Sequence, residues 1–206
     1  MLKIWGRTNS INVQKVLWVV DELRIPYERA DAGLQFGVVG EPFYRKMNPN
    51  GRVPTIDDDG FILWESNAIV RYLSEKHGAG TLWPSDPRQR ADSDRWMDWV
   101  STTAGPPMTP VFWGLIRTPP ERRDIRAIDE GTKKLNAAFE ILEQGLGGRD
   151  YVAGSELTLG DIPVGVYVYR WSALPIDRPR LPKVEAYYRR LQERAPFRNH
   201  VMLPLS

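Results

Sequence analysis

The chain is 206 residues long, enough for one large domain or two small ones around a substantial core. Its 42% hydrophobic and 26% charged residues suit a soluble globular protein, and no stretch approaches the roughly 18 consecutive apolar residues of a membrane helix. Formal net charge is only +2 and the basic residues are scattered among acids and apolar positions, against a nucleic-acid surface; zero cysteines exclude disulfides, cysteine-ligated metals and protein-borne thiol chemistry.

The N-terminus reads directly into a strand at Leu2–Trp5 rather than into a signal peptide, so a cytoplasmic location is expected. Apolar residues at Val13, Val16, Leu17, Val20 and Leu23 have helical spacing over Asn12–Leu23. Pro26 ends that region, and Tyr27–Asp31 fits a second strand. Strand, helix and strand within about 30 residues make a βαβ unit. A loop with Gly33, Gly37 and Gly40 then leads to a short helix near Glu41–Met47. Thr55–Asp57 and Phe61–Trp64 flank Asp57-Asp58-Asp59-Gly60, a hairpin signal whose acids read as a solvated turn. Ser66–Lys76 is a helix with Ile69, Tyr72 and Leu73 on one face, and Gly78–Pro87 reads as a linker.

Beyond the linker no strand pattern is convincing. Arg88–Ile116 reads as a long helix kinked at Pro106-Pro107. Glu121–Leu146 is a second helix, bounded by Pro119-Pro120 and Gly147-Gly148. Thr158-Leu-Gly-Asp161 resembles a capping arrangement, with Thr as cap and Asp three residues on. Val164, Val166 and Val168 alternate as a strand would. The cap and the all-round apolar pattern nevertheless predict a helix over Asp161–Trp171. Lys183–Arg194 closes the bundle with Val184, Tyr187, Tyr188 and Leu191. The fold class is α+β: a mixed sheet with helices over residues 1–78, a linker over 79–87, and an all-helical domain over 88–206.

The stretch from Asn48 to Leu73, NPNGRVPTIDDDGFILWESNAIVRYL, carries the functional signal. The bond before Pro54 is a candidate cis peptide. Such a bond leading into a strand turns the Val53 backbone outward, where its N–H and C=O could pair with a peptide-like ligand. Glu65 and Ser66 sit at a helix start, where unpaired N–H groups and the positive dipole end suit a carboxylate. Together these features point to a small peptide ligand. His77 and His200 are far apart and no carboxylate–histidine cluster exists, so no metal is expected.

Four segments, NPNGRVPTI (48–56), WESNAIVRYL (64–73), LTLGDIPVG (157–165) and RLPKVEAYYRRLQERAPF (180–197), resemble the cytosolic glutathione transferases over essentially the whole chain. The resemblance is to the bacterial branch whose theta/nu-like active-site turn is of the Ser/Asn type. It implies a thioredoxin-like N-terminal domain, a helical C-terminal domain, glutathione as cosubstrate and a homodimer, with neither nucleic acid nor membrane as partner. By the same resemblance, Val53 beside Pro54 pairs with the cysteinyl part of glutathione. Glu65 and Ser66 then hold the γ-glutamyl carboxylate and amine. Arg52 meets the glycyl carboxylate, assisted by Asn50 or Gln35.

A thiol like that of glutathione has a pKa of about 8.5, so only a few per cent is ionised near neutrality. Lowering it by two units takes about 2.7 kcal/mol, the size of one or two directed hydrogen bonds plus a helix N-terminus. Family members place the donor between the first strand and first helix, here Arg7-Thr8-Asn9-Ser10-Ile11-Asn12. The turn has no Tyr or Cys; by the resemblance, counting back from Lys15, which aligns with a basic residue family members often carry in that helix, Ser10 and Asn12 are the best donors, with Thr8 behind them. A second-substrate pocket is expected between the domains, with Met108, Phe112 and Trp113 as candidates from the kinked helix. The leading function is transfer of glutathione to a small hydrophobic electrophile. The alternatives are a glutathione-dependent disulfide reductase or peroxidase, and a non-catalytic scaffold of the same fold. Dithiol chemistry is excluded for want of cysteine, and the Ser-Ser-Cys turn of the maleylacetoacetate isomerase branch is missing.

Overall fold

Four short strands, β1 (Leu2–Trp5), β2 (Tyr27–Ala30), β3 (Thr55–Asp58) and β4 (Phe61–Trp64), form one sheet in the order β2-β1-β3-β4. The computed structural model describes all 206 residues, and they divide into two units. The sheet belongs to the first, which comprises Met1–Trp83 and Ala195–Leu203. β1 pairs parallel with β2, Leu2 opposite Tyr27, and antiparallel with β3, Ile4 opposite Ile56. Both of these isoleucines are fully buried, the cross-strand packing expected of β-branched residues in a central pair. β3 and β4 form the Asp-Gly hairpin, with the Gly60 N–H bonded to Asp57 Oδ1 at 2.6 Å.

Helix α1 (Ile11–Glu22) joins β1 to β2, α2 (Pro42–Met47) precedes β3, and α3 (Ser66–His77) follows β4. The eight residues Val13–Val20 are all buried, so α1 is enclosed nearly all round rather than along one stripe. It packs against α3 and against α9 (Ala195–His200), a short helix near the end of the chain. Trp18 meets Phe197 edge-to-face, ring centres 4.9 Å apart, and His200 Nε2 lies 3.1 Å from Asp21 Oδ2. On the other side of β1, Trp5, Ala32 and Tyr44 form a second cluster with Val38, Met47 and Val53 against it.

The second unit, Pro84–Arg194 with Pro204–Ser206, is helical throughout. α4 (Pro87–Trp99) runs through a π-helical turn (Val100–Ala104) into α5 (Gly105–Phe112), and a second π turn (Trp113–Arg117) ends the run. The expected interruption therefore takes the form of a register change one turn before the prolines. Pro106 and Pro107 offer no N–H to the preceding turn, and the Gly105 N–H bonds Val100 O, five residues back. α6 (Ile125–Leu146) begins later than its sequence pattern, because Asp124 caps it by accepting from the Ala127 N–H at 3.0 Å. Its buried residues, including Ile128, Leu135, Phe139, Leu142 and Leu146, keep helical spacing.

α7 (Asp161–Ala173) is the helix expected from the cap, and α8 (Pro182–Gln192) closes the unit. The valines at 164, 166 and 168 are all fully buried, so their strand-like alternation reflects an enclosed helix. Phe139 stacks on Trp171, ring centres 4.4 Å apart and nearly parallel. The start of α8 is held from outside: Glu143 accepts from the Lys183 and Val184 N–H groups at 3.0 and 2.9 Å.

Candidate active site

The loop before β3 is built to present Val53. The Val53–Pro54 bond is cis. Asn48, 2% exposed, donates through Nδ2 to Arg52 O at 2.9 Å and to Thr55 Oγ1 at 3.0 Å, and accepts from the Asn50 N–H at 3.1 Å. Tyr44, fully buried, donates to the same Arg52 carbonyl at 2.7 Å. Gly51 takes φ +58°, a backbone region that favours glycine, with the Arg45 guanidinium lying close to it. Arg45 in turn donates to Pro49 O at 2.8 Å. Pinned on both sides, Val53 itself makes no backbone hydrogen bond within the chain. Its N–H and C=O are left for another strand-like partner.

The start of α3 shows the second special feature. Glu65 adopts φ +70°, a region that costs a non-glycine residue of order 1–3 kcal/mol and that clusters at functional positions. Its side chain is exposed, whereas Ser66 is 6% exposed. Ser66 Oγ donates to Asn12 Oδ1 at 3.3 Å and accepts from Lys15 Nζ at 3.4 Å. Lys15 also donates to Asn67 Oδ1 at 3.2 Å. The first turns of α1 and of α3 are thus joined by hydrogen bonds.

Ser10 occupies the N-cap position of α1 with extended backbone angles, but its side chain makes no capping bond. It is 7% exposed. With Asn12 Oδ1 occupied by Ser66, the Asn12 amide nitrogen faces away from that bond and has a donor to give. Thr8 is exposed. Gly33 (φ +86°) brings the opposite loop close: a Cβ on it would stand 3.0 Å from Arg7 Nη1 and 3.4 Å from Val53 Cγ1. Gln35, Asn50 and Arg52 are all exposed at the edges of these loops. No group of three or more His, Cys, Asp or Glu side chains could hold a metal ion.

A family model for the glutathione S-transferase N-terminal domain matches residues 1–75, and one for the C-terminal domain matches residues 126–190. The sequence is 41% identical to glutathione S-transferase GstB of Escherichia coli K12, with both chains covered in full. The chain belongs to the glutathione S-transferase family. It is similar to the theta-class glutathione S-transferase of the citrus canker pathogen Xanthomonas axonopodis pv. citri, solved with glutathione bound. The TM-score is 0.96 and the identity 40%, over 100% of this chain and 99% of that one. It is 29% identical to glutathione S-transferase D6 of Drosophila melanogaster, over 95% of this chain and 89% of that protein. These matches bear out the resemblance and the fold class of thioredoxin-like domain followed by helical domain.

In this glutathione S-transferase, Met108 and Phe112 are each 2% exposed, while Trp113 is 46% exposed. The guanidinium groups of Arg170 and Arg117 lie 3.9 and 5.0 Å from the Phe112 ring centre. Of the three, only Trp113 offers substantial surface. Sequence reasoning missed Tyr44, Asn48 and Lys15 as supports of the transferase's loops. Lys15 had a legible signal, a charge beside Gln14 in a run from Val13 to Val20 whose other residues are apolar.

Proposed function

We propose that this glutathione S-transferase binds glutathione on its first unit and ionises the thiol for attack on a small hydrophobic electrophile. The observation that carries the reading is Ser10: a hydroxyl at a helix N-cap that makes no capping bond, beside an Asn12 amide whose oxygen is already committed to Ser66. In this reading Ser10 Oγ and Asn12 Nδ2 donate to the sulfur, and the N-terminus of α1 adds its dipole. The Val53 N–H and C=O pair with the cysteinyl backbone beside Pro54. Glu65 and Ser66 take the γ-glutamyl amine and carboxylate, and Arg52, with Gln35 or Asn50, meets the glycyl carboxylate. Trp113, with Met108 and Phe112 behind it, contacts the electrophile. The theta-class relative solved with glutathione bound supports the choice of cosubstrate. The reading also takes the enzyme to be a homodimer and places it in the cytoplasm, where the glutathione pool is reduced.

The test is turnover of Ser10→Ala and Asn12→Ala with a chloronitroaromatic substrate, run in parallel with a mixed disulfide. Removing one donor to a developing or bound anion costs about 1.5–3 kcal/mol, or about tenfold to a hundredfold in kcat/KM. Wild-type turnover in both variants would sink the donor assignment. A wild-type enzyme faster on the disulfide than on the chloronitroaromatic would replace conjugation by disulfide reduction.

A further inference from the structure

The second unit gathers positive charge around the rings that the glutathione reading gives to the electrophile. Phe112 has two guanidinium groups within 5.0 Å of its ring centre, Arg170 from α7 and Arg117 from the π-helical turn Trp113–Arg117. Arg117 also lies 4.6 Å from the centre of the exposed Trp113 ring, one turn back. Such π-helical turns recur at functional sites, and this one sets a cation against an exposed indole. A face built only for an apolar electrophile gains nothing from a guanidinium there. Burial disfavours the charge and pulls the Arg117 pKa below its ordinary value.

The hydrogen bonds of Arg117 define what it can still take. Nε and Nη2 both donate to Ser206 O, at 3.3 and 2.9 Å, which commits the side-on edge of the guanidinium to the chain. Its remaining contacts are the two aromatic faces. Nη1 donates to nothing in the chain. The end-on edge, Nη1 with the second Nη2 hydrogen, therefore keeps two parallel donors. That fork matches the two oxygens of a carboxylate, and the planar cation stacks on an aromatic ring at the same time.

We infer that the second substrate of this transferase is an acidic aromatic electrophile, its ring laid against Trp113 and its carboxylate on the end-on edge of Arg117. The inference rests on the conjugation reading and narrows it, from a hydrophobic electrophile to an amphipathic one. Arg117 then sets specificity and takes no part in the bond changes. The thiolate forms the C–S bond at the carbon bearing the leaving group, chloride departs with the bonding pair, and the carboxylate is unchanged throughout.

The experiment compares para-chlorodinitrobenzoate with the corresponding benzamide, which keeps the ring and the leaving group but lacks the charge. The kcat/KM of each is measured for wild type, Arg117→Met and Arg117→Lys, and corrected for the uncatalysed rate with free glutathione. Wild type should favour the carboxylate by about tenfold or more. In Arg117→Met the ratio of carboxylate to carboxamide should fall about tenfold to a hundredfold, the range for a bond to a charged group. Arg117→Lys keeps the charge without the fork and should recover part of that ratio. If Arg117→Met does not fold, Arg117→Gln carries the same comparison. A wild type that favoured the carboxamide, or a ratio that Arg117→Met left unmoved, would overturn the inference and leave conjugation standing. A wild type that conjugated neither substrate would overturn the conjugation reading and this inference with it.

Discussion

Three residues at the candidate site stand in unusual settings. Glu65 sits at φ +70° without being glycine, Lys15 is buried, and Ser10 holds an N-cap position without using its hydroxyl as a cap. Asn48 is their counterpart on the other loop, a buried amide whose three hydrogen bonds hold Asn50, Arg52 and Thr55 around Val53. Asn48→Ala leaves the Asn50 N–H and part of the Arg52 and Thr55 bonding unmet, and should cost about 1–3 kcal/mol of stability in urea unfolding. It should also raise KM for glutathione more than it lowers kcat, because the Val53 backbone loses its fixed direction. An unchanged KM in a destabilised variant would show that the loop needs only Tyr44 and Pro54 to hold its shape.

At the scale of elements, Asp161 joins four pieces of the second unit. Its carboxylate accepts from the Val152 N–H at 2.9 Å, the Thr158 N–H and hydroxyl at 2.8 and 3.0 Å, and the Tyr187 hydroxyl at 3.0 Å. Thr158 accepts from Ser93 on α4, and Ser93 in turn accepts from the Gly160 N–H. Burial lifts the Asp161 carboxyl from 3.8 to about 6, against the pull of these donors. A pKa higher in the folded chain means that the folded chain binds the proton more tightly. This contribution to stability is therefore fully present below about pH 4 and is lost as pH rises through about 6. Asp161→Asn abolishes the titration, so the stability of wild type minus that of the variant should fall by about 2 kcal/mol between pH 4 and pH 7. A difference that is flat or rises over that range would place the folded pKa at or below its ordinary value.

The helix opened at Asp161 was legible from Thr158 and Asp161 at the right spacing, despite the alternating valines, but Thr158 is not its cap: Gly160 holds the N-cap position, and the Thr158 N–H and hydroxyl both bond the Asp161 carboxylate. The π turns at Val100–Ala104 and Trp113–Arg117 were not legible. Pro106-Pro107 announces that helical bonds are missing, but whether the chain kinks or changes register depends on packing around Gly105, which no local pattern encodes. The same limit applies at the site. The cis bond at Val53-Pro54 and the helix start at Glu65-Ser66 could be read because they are backbone features. The support from Asn48, Tyr44 and Lys15 depends on where side chains point across the fold.

For the molecule as a whole, the first unit is completed from the far end of the chain. Ala195–Leu203 returns to it, and Phe197 and Val201 are fully buried there. A short helix of six residues has little periodicity to show, and its apolar residues give no hint of which unit they join. Phe197→Ala removes a ring packed on Trp18 and should destabilise the protein by about 3–5 kcal/mol, lowering its melting temperature. Glutathione at a hundredfold its Kd should restore about 2.7 kcal/mol in that variant and add as much to wild type. No shift in either would mean that the ligand is not glutathione.

The central claim, that the first unit binds glutathione as its thiolate through Ser10 and Asn12, has a direct measurement. The ultraviolet absorbance of the thiolate in the binary complex is titrated against pH, in wild type and in Ser10→Ala. The account predicts a wild-type midpoint about two units below the free value of about 8.5, with a return of at least one unit toward it in Ser10→Ala. A bound thiol that titrates near its free value in both proteins would contradict it.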